Sequence, residues 1–340
     1  MRIAVDAFGG DHAPLEIVKG AVDAANQMSD VEVILVGCEH IINEILATQA
    51  VPEGRVTVQH AETVIETGDV PVEAIRTKKD SSLMVALSLV KNGEADAVVS
   101  AGNTGAYLAG AFRTLGRIKG VKRPALTTIL PTVGEPGLIL DIGANADCRP
   151  EHLVQFAQMG SVYASHVLHI EKPRVALLNI GVEEAKGNAL TKETYQQLKN
   201  EPIHFVGNIE PREILSGKVD VVICDGFTGN VVIKLIEGTA SSLFSMMKKV
   251  FYKNIGTKLA AAVLKPGIKT VKAKMDYSEY GGAPLLGIDG VVFKAHGSSD
   301  AVTIKNCIGA ARAYVAAGIN DKIKSLIEAS QPTEEKEEQE

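Results

Sequence analysis

Short apolar runs rich in β-branched residues recur along the chain, and each ends at a glycine- or asparagine-bearing loop that opens into helical spacing. Six such junctions stand out: Ile3 to Asp6 into AFGGDHAP, Val98 to Ser100 into AGNTGA, Leu138 to Asp141 into IGANAD, Val175 to Asn179 into IGVEEAKGN, Val221 to Cys224 into DGFTGN, and Val291 to Lys294 into AHGSSD. This alternation predicts an α/β fold, a three-layer α/β/α arrangement with a mostly parallel sheet. In open parallel sheets the carboxyl ends of the strands form the ligand crevice, so the six loops are expected to gather there. Leu153, Phe156, Gly160, Tyr163 and Val167 recur at spacings of three and four, which predicts a helix with one buried face. A long C-terminal helix is expected from about Ser299, and the acidic QPTEEKEEQE at 331–340 reads as a disordered tail. Residues 1–330 are expected to form a single catalytic domain, with a basic helical hairpin at about 230–275.

The hairpin is a change of pattern. From Gly238 to Met275 there is no Asp, Glu or Arg, while Lys248, Lys249, Lys253, Lys258, Lys265, Lys269, Lys272 and Lys274 give a local charge of +8. In its first arm Ile236, Ala240, Leu243, Met247 and Val250 follow a four-three spacing, widened by Phe244, Met246 and Phe251. So wide a stripe predicts contact with another helix pair, hence a homodimer. The second arm is expected to begin near Thr257, break at Pro266-Gly267 and resume with Ile268, Val271 and Met275. Lys258, Leu259, Val263, Leu264 and Lys265 are the expected contacts with a membrane surface or an acidic carrier protein. The alternative is a solvated lysine-rich face, which leaves the missing acids unexplained.

The whole chain, by contrast, carries a formal charge of −6 over 340 residues, which gives no global reason to expect nucleic acid. With 46% hydrophobic residues a large core is available. The N-terminal MRIAVD lacks a secretory signal and no apolar run is long enough to span a bilayer, so a cytoplasmic protein is expected. Cys38, Cys148, Cys224 and Cys307 are far apart, without a C-x-x-C pair, so reduced thiols are expected and neither zinc nor a disulfide framework.

The chemistry concentrates at the strand exits. In SAGNTGA, Gly102 permits a tight turn while Asn103 and Thr104 begin a helix whose first amides can face an anion at the positive end of its dipole. The same residues also serve simply as a helix cap. The similar set in DGFTGN, after another strand, favours a phosphate held by several walls. No two glycines are separated by one residue, no loop supplies G-K-[ST] and no G-x-S-x-G occurs, which weakens dinucleotide, P-loop and Ser-hydrolase readings. Lys186 beside Gly187 and Asn188 is either a mobile charge for phosphate or a solvated loop lysine. His12 and His296 either donate to an oxyanion or pack near helix starts. Asp6, Asp11, Asp225 and Asp300 can orient such groups, although Asp11 and Asp300 are also good N-caps. Cys148 and Cys224 are either thiol nucleophiles or core fillers.

Taken in order, VDAFGGDHAP, SAGNTGA, DIGAN, KGN, DGFTGN, YGGAPLLG and KAHGSSD resemble the PlsX family of bacterial phosphate acyltransferases, over roughly residues 1–320. Phe8 stands where that family usually has methionine, a swap that keeps an apolar side chain. The resemblance implies transfer of a long-chain acyl group from acyl carrier protein to inorganic phosphate, giving acyl phosphate for phospholipid synthesis. It further implies a fold similar to isopropylmalate dehydrogenases and phosphotransacetylases, a homodimer, peripheral membrane association near a downstream membrane acyltransferase, and no cofactor or metal. Carried onto this chain, Lys186, Asn230 and His296 are the expected catalytic residues. Phosphate or substrate contacts are expected from Asp6, Gly9, Gly10, Asp11 and His12, from Gly102, Asn103, Thr104 and Gly105, and from Asn145, Gly187 and Asn188. Asp225, Gly226, Thr228, Gly229, Gly297, Ser298 and Ser299 complete the set. The alternatives are a phosphotransacetylase-like enzyme using coenzyme A and a non-catalytic membrane or carrier-protein binding module.

Overall fold

The computed structural model describes residues 1–275 and 281–330, apart from the side chains of 273 and 274. The tail expected at 331–340 lies outside the described residues. The first half of the chain runs β1 (Arg2–Asp6), α1 (Leu15–Gln27), β2 (Glu32–Gly37), α2 (Glu39–Leu46), β3 (Val56–His60), α3 (Pro71–Thr77), α4 (Ser82–Lys91), β4 (Ala97–Ser100) and α5 (Thr104–Thr114). It continues through β5 (Ala125–Leu130), β6 (Gly137–Leu140), α6 (Pro150–His166), β7 (Val175–Leu178), α7 (Ala189–Leu198) and β8 (Phe205–Ile209). A 3₁₀ turn, Pro211–Ser216, leads to β9 (Val221–Ile223), α8 (Gly226–Phe251), α9 (Ile255–Met275), β10 (Ala283–Leu286), β11 (Val291–Lys294), α10 (Ala301–Ala316) and α11 (Ile319–Ser330).

The strands form one sheet in the order β3-β2-β1-β4-β11-β10-β5-β6-β9-β7-β8. Its central strands, such as β4 and β6, are buried along their whole length, which is why they read as unbroken apolar runs. Helices cover both faces. One core cluster joins Ile17, Phe156, Met159 and Ile304 from α1, α6 and α10 to Ile3, Val99 and Leu138 of the sheet. On the other face Leu83, Leu87 and Tyr107 from α4 and α5 pack on Ala4, Val98 and Val292. Each such side chain, fully buried, is worth about 1.5–3 kcal/mol.

Two features of this sheet depart from the expected uniform crevice. Strands β3, β2, β1, β4 and β11 are mutually parallel, and so are β6, β9, β7 and β8, but β10 and β5 join the two sets through antiparallel pairings. The two parallel sets therefore point in opposite directions within the one sheet. The second departure concerns helices. The C-terminal pattern is two helices, α10 and α11, because Gly318 turns the chain with φ +59°. In the hairpin, α9 runs through Pro266 without a break.

Candidate active site

The exits of β1, β4 and β11 are locked together. The Ser100 hydroxyl donates to Asp6 Oδ2 at 2.7 Å, the Gly102 amide donates to Ser100 Oγ at 3.0 Å, and the Asp11 amide donates to the Gly297 carbonyl at 2.8 Å. Gly9 is required here, since a Cβ on it would stand 2.5 Å from Asp6 Oδ2 and 2.6 Å from the Gly102 amide nitrogen. Gly10, at φ +112°, occupies the left-handed region that glycine tolerates. Asp6 is buried, and that burial pushes its carboxyl pKa up against the opposing hydrogen bonds from Ser82 and Ser100. Asn103 caps α5 by accepting from the Ala106 amide at 3.0 Å, so the capping role holds for it. Thr104 and Gly105 follow with first-turn amides that form no hydrogen bond among the described residues.

Next to these loops lies a cavity of about 200 Å³. Thr104, Asn230, Lys234, Lys294, His296 and Gly297 line its polar part, and Leu126, Ile142, Ile233 and Ala283 line its apolar part. His296 Nδ1 accepts from the Ser298 amide at 3.3 Å, which places the proton of a neutral ring on Nε2. Burial, then the nearby Lys234 ammonium, pulls the His296 pKa down, so the ring is neutral near pH 7. Ser299 turns inward, its hydroxyl donating to the His296 carbonyl at 2.7 Å, while Asp300 caps α10 by accepting from the Thr303 amide at 2.9 Å. Asp11 and His12 are exposed before α1, whose N-cap position is Pro14 rather than Asp11.

DGFTGN has a packing explanation. Asp225 caps α8 by accepting from the Thr228 amide and hydroxyl, both at 2.8 Å. A Cβ on Gly226 would meet the Asn145 carbonyl oxygen at 2.6 Å and Asp141 Oδ2 at 2.8 Å, and one on Gly229 would overlap the Asp141 carbonyl oxygen. These glycines let α8 start against the loop after β6. That loop is organised by Asp141, a buried carboxylate accepting from the amides of Leu126, Gly143, Ala144 and Asn145. Asn145 Nδ2 is engaged inside the scaffold, donating to Pro124 O at 2.7 Å and Asp141 Oδ2 at 2.8 Å.

Lys186, Gly187 and Asn188 stand apart from the cavity, at the exit of β7. The Lys186 carbonyl accepts from Asn179 Nδ2 at 3.1 Å, the Lys186 side chain is exposed, and Asn188 caps α7 by accepting from the Thr191 amide. Lys258, Leu259, Val263, Leu264 and Lys265 are exposed along α9. Lys258 and Lys265 also line a groove of about 450 Å³ between the hairpin helices, with Phe244, Met247, Phe251 and Ile268. The residues missed from the sequence are Lys294, Lys234, Ser100 and Asp141. For Lys294 the signal was a charged residue closing an otherwise apolar strand, VVFK.

The thiols are not activated. Burial is the main cause that pushes Cys148 up to about 12 and Cys224 well above the ordinary range, and Asp141 and Asp225 add to both. Cys148→Ala and Cys224→Ala are therefore expected to keep acyl-transfer rates within about threefold, with no acylated protein in quenched reactions. A thioester on either cysteine, chased to product by phosphate, would show instead that the thiol is a nucleophile.

The α/β/α fold is shared with phosphotransacylases of known structure. A phosphotransacetylase from Streptococcus pyogenes superposes over 92% of this chain and 94% of its own, with TM-score 0.61 at 17% identity. A branched-chain phosphotransacylase from Enterococcus faecalis V583 does so over 93% and 99%, with TM-score 0.56 at 14% identity. The family model described as "Fatty acid synthesis protein" matches residues 1–322. The phosphate acyltransferase of Alkaliphilus oremlandii is 53% identical over 311 residues, covering 92% of each chain, and that of Bacillus cytotoxicus is 51% identical over 329 residues, covering 96% of this chain and 98% of its own. The chain belongs to the phosphate acyltransferase (PlsX) family, and it is a phosphate acyltransferase.

Proposed function

We propose that the acyl donor is a long-chain acyl carrier protein, that inorganic phosphate is the acceptor, and that the acyl phosphate feeds phospholipid synthesis. A phosphate oxygen attacks the thioester carbon, the carbonyl oxygen takes up negative charge, and the C–S bond breaks as the carbonyl re-forms. Acyl phosphate and a free thiol result. Phosphate is itself the nucleophile, so the protein has only to hold it beside the carbonyl. The Nε2–H of His296 and the open amides of Thr104 and Gly105 suit the developing oxyanion. A thiol leaving group, with an unperturbed pKa near about 8.5, asks for little acid assistance.

The observation that carries the carrier-protein reading is α8 itself. Asn230 lines the cavity near its start, and its far end joins the lysine-rich hairpin, 26 residues or about 39 Å at ~1.5 Å per residue. An acidic partner on those lysines is thereby held by the element that also lines the cavity. Incubation with palmitoyl carrier protein or palmitoyl-coenzyme A plus phosphate, with acyl phosphate trapped as hydroxamate, tests this. Turnover with coenzyme A alone would establish the second reading, a phosphotransacetylase-like enzyme, which the fold of the S. pyogenes protein favours.

The hairpin also supports a homodimer and a peripheral, cytoplasmic-side membrane contact. Among the described residues no helix is long and apolar enough to cross a membrane. Leu235, Leu243, Met246 and Val250 leave an exposed apolar stripe on α8, suited to a second helix pair. On α9, Leu259 and Val263 are 66% and 81% exposed beside lysines, so apolar insertion and charge attraction can act together. Each lysine near an anionic surface is worth on the order of 1 kcal/mol, an attraction that fades within a Debye length of about 8 Å. Sedimentation with anionic vesicles is expected to fall at high salt, with neutral lipid, and in Leu259→Glu, Val263→Glu and Lys258→Glu/Lys265→Glu. Sedimentation indifferent to all of these would exclude the hairpin as a membrane contact.

A further inference from the structure

Lys294 is a buried lysine in a wall of the cavity, 8% exposed, at the end of β11. Strand pairing explains why it lies there. Lys294 stands opposite Ser100 of β4, and Val5 of β1 stands opposite Val99, so Asp6, Ser100 and Lys294 form one polar row across three neighbouring strands. All three are buried, on the sheet face shared by Ala4, Val98 and Val292. Within the row Ser100 is fixed by Asp6, while the Lys294 ammonium donates only to the adjoining Ala295 carbonyl and forms no ion pair among the described residues.

A buried ammonium without an ion-pair partner is costly, and the cost is relieved when an anion arrives. Burial is the main cause that lowers the Lys294 pKa to about 8, with the Cys307 thiol and the Asp6 and Asp11 carboxylates opposing it. Near neutral pH the group is mostly charged. Across the cavity the competing cation, Lys234, is already paired with Glu237 at 3.0 Å, and Lys186 lies outside. Thr104, at the positive end of α5, lines the same space.

We propose that Lys294 is a substrate-binding cation of this enzyme, its ammonium holding the inorganic phosphate at the wall of the cavity between the α5 N-terminus and His296. Asp6 is a positioning residue, acting through Ser100 on the β4 exit. The proposal rests on the cavity being where phosphate meets the acyl donor. Phosphate arriving here faces the apolar part at Leu126, Ile142 and Ile233, where the first carbons of an acyl chain fit.

Lys294→Met keeps the length and apolar stem of the side chain and removes the charge. It is expected to raise the KM for phosphate at least about tenfold and to leave the KM for the acyl donor within about threefold. It is also expected to abolish the rise in melting temperature that phosphate gives the wild type. The wild-type protein supplies a second measurement that needs no variant: carbamylation of Lys294 by cyanate, followed by peptide mass spectrometry, is expected to slow when phosphate is present. A phosphate KM unchanged in Lys294→Met, or a carbamylation rate at Lys294 indifferent to phosphate, overturns the proposal. Absence of acyl phosphate with the wild type and any thioester would count against the reading of the cavity instead, while phosphate protection of Lys294 still reports on anion binding.

Discussion

Gly229→Ala is expected to be the most damaging single methyl group in the chain's second half. The added carbon would overlap the Asp141 carbonyl oxygen and stand 3.0 Å from Cys224 Sγ, both on buried backbone or side chain with nowhere to move. Asp141 cannot retreat, because its carboxylate holds four amides of its own loop and of β5. Overpacking against fixed backbone costs about 3 kcal/mol or more. In a chain of 340 residues that lowers the melting temperature by roughly 4 °C or more. Gly238→Ala, in the same helix, is the control: a Cβ there meets nothing within 4 Å. It is expected to leave the melting temperature unchanged or slightly raised, since alanine is the better helix former by about 1 kcal/mol. Equal melting temperatures for both variants would show that α8 does not seat on the β6 exit as described.

The same helix start shows what the sequence could and could not reveal. The six strands read from apolar runs fall within about one residue of β1, β4, β6, β7, β9 and β11, because each is buried on both faces and bounded by glycine or a polar loop. Strands β5 and β10, ALTTIL and APLL, lack that strand-loop-helix signature, so the antiparallel centre that reverses the second half of the sheet was not legible. A glycine required for φ and a glycine required for close approach look identical in a sequence. Gly10, at φ +112°, and Gly229, pressed on the Asp141 carbonyl, are thus one residue type with two physical causes. Lys294 was hidden for another reason. Its meaning depends on strands β1 and β4 lying beside β11, and no local pattern carries that neighbourhood. The break at Gly318 and the unbroken passage through Pro266 are likewise tertiary outcomes, since helical period alone continues across the first and hesitates at the second.

Asn230→Ala is expected to lower acyl phosphate formation at least about tenfold, roughly 1.4 kcal/mol of transition-state stabilisation. Its side chain is exposed on the cavity side of α8, one residue after the tightly packed Gly229, so truncation opens no core void and the melting temperature should not change. Lys186→Ala is expected to fall by a similar factor on the family resemblance, again without loss of stability, because Lys186 is an exposed loop residue. The two variants ask different questions. Asn230 lines the cavity that holds Lys294 and His296, whereas Lys186 lies outside it at the exit of the neighbouring strand β7. A loss in Asn230→Ala alone would confine the chemistry to the cavity and make Lys186 a solvated loop lysine. Losses in both would mean that the working site also draws on the loop at 179–188, brought to the cavity when substrates or a second copy bind. Wild-type rates in both, at unchanged melting temperature, would remove Asn230 and Lys186 from the catalytic assignment and leave phosphate binding to Lys294 and the α5 N-terminus.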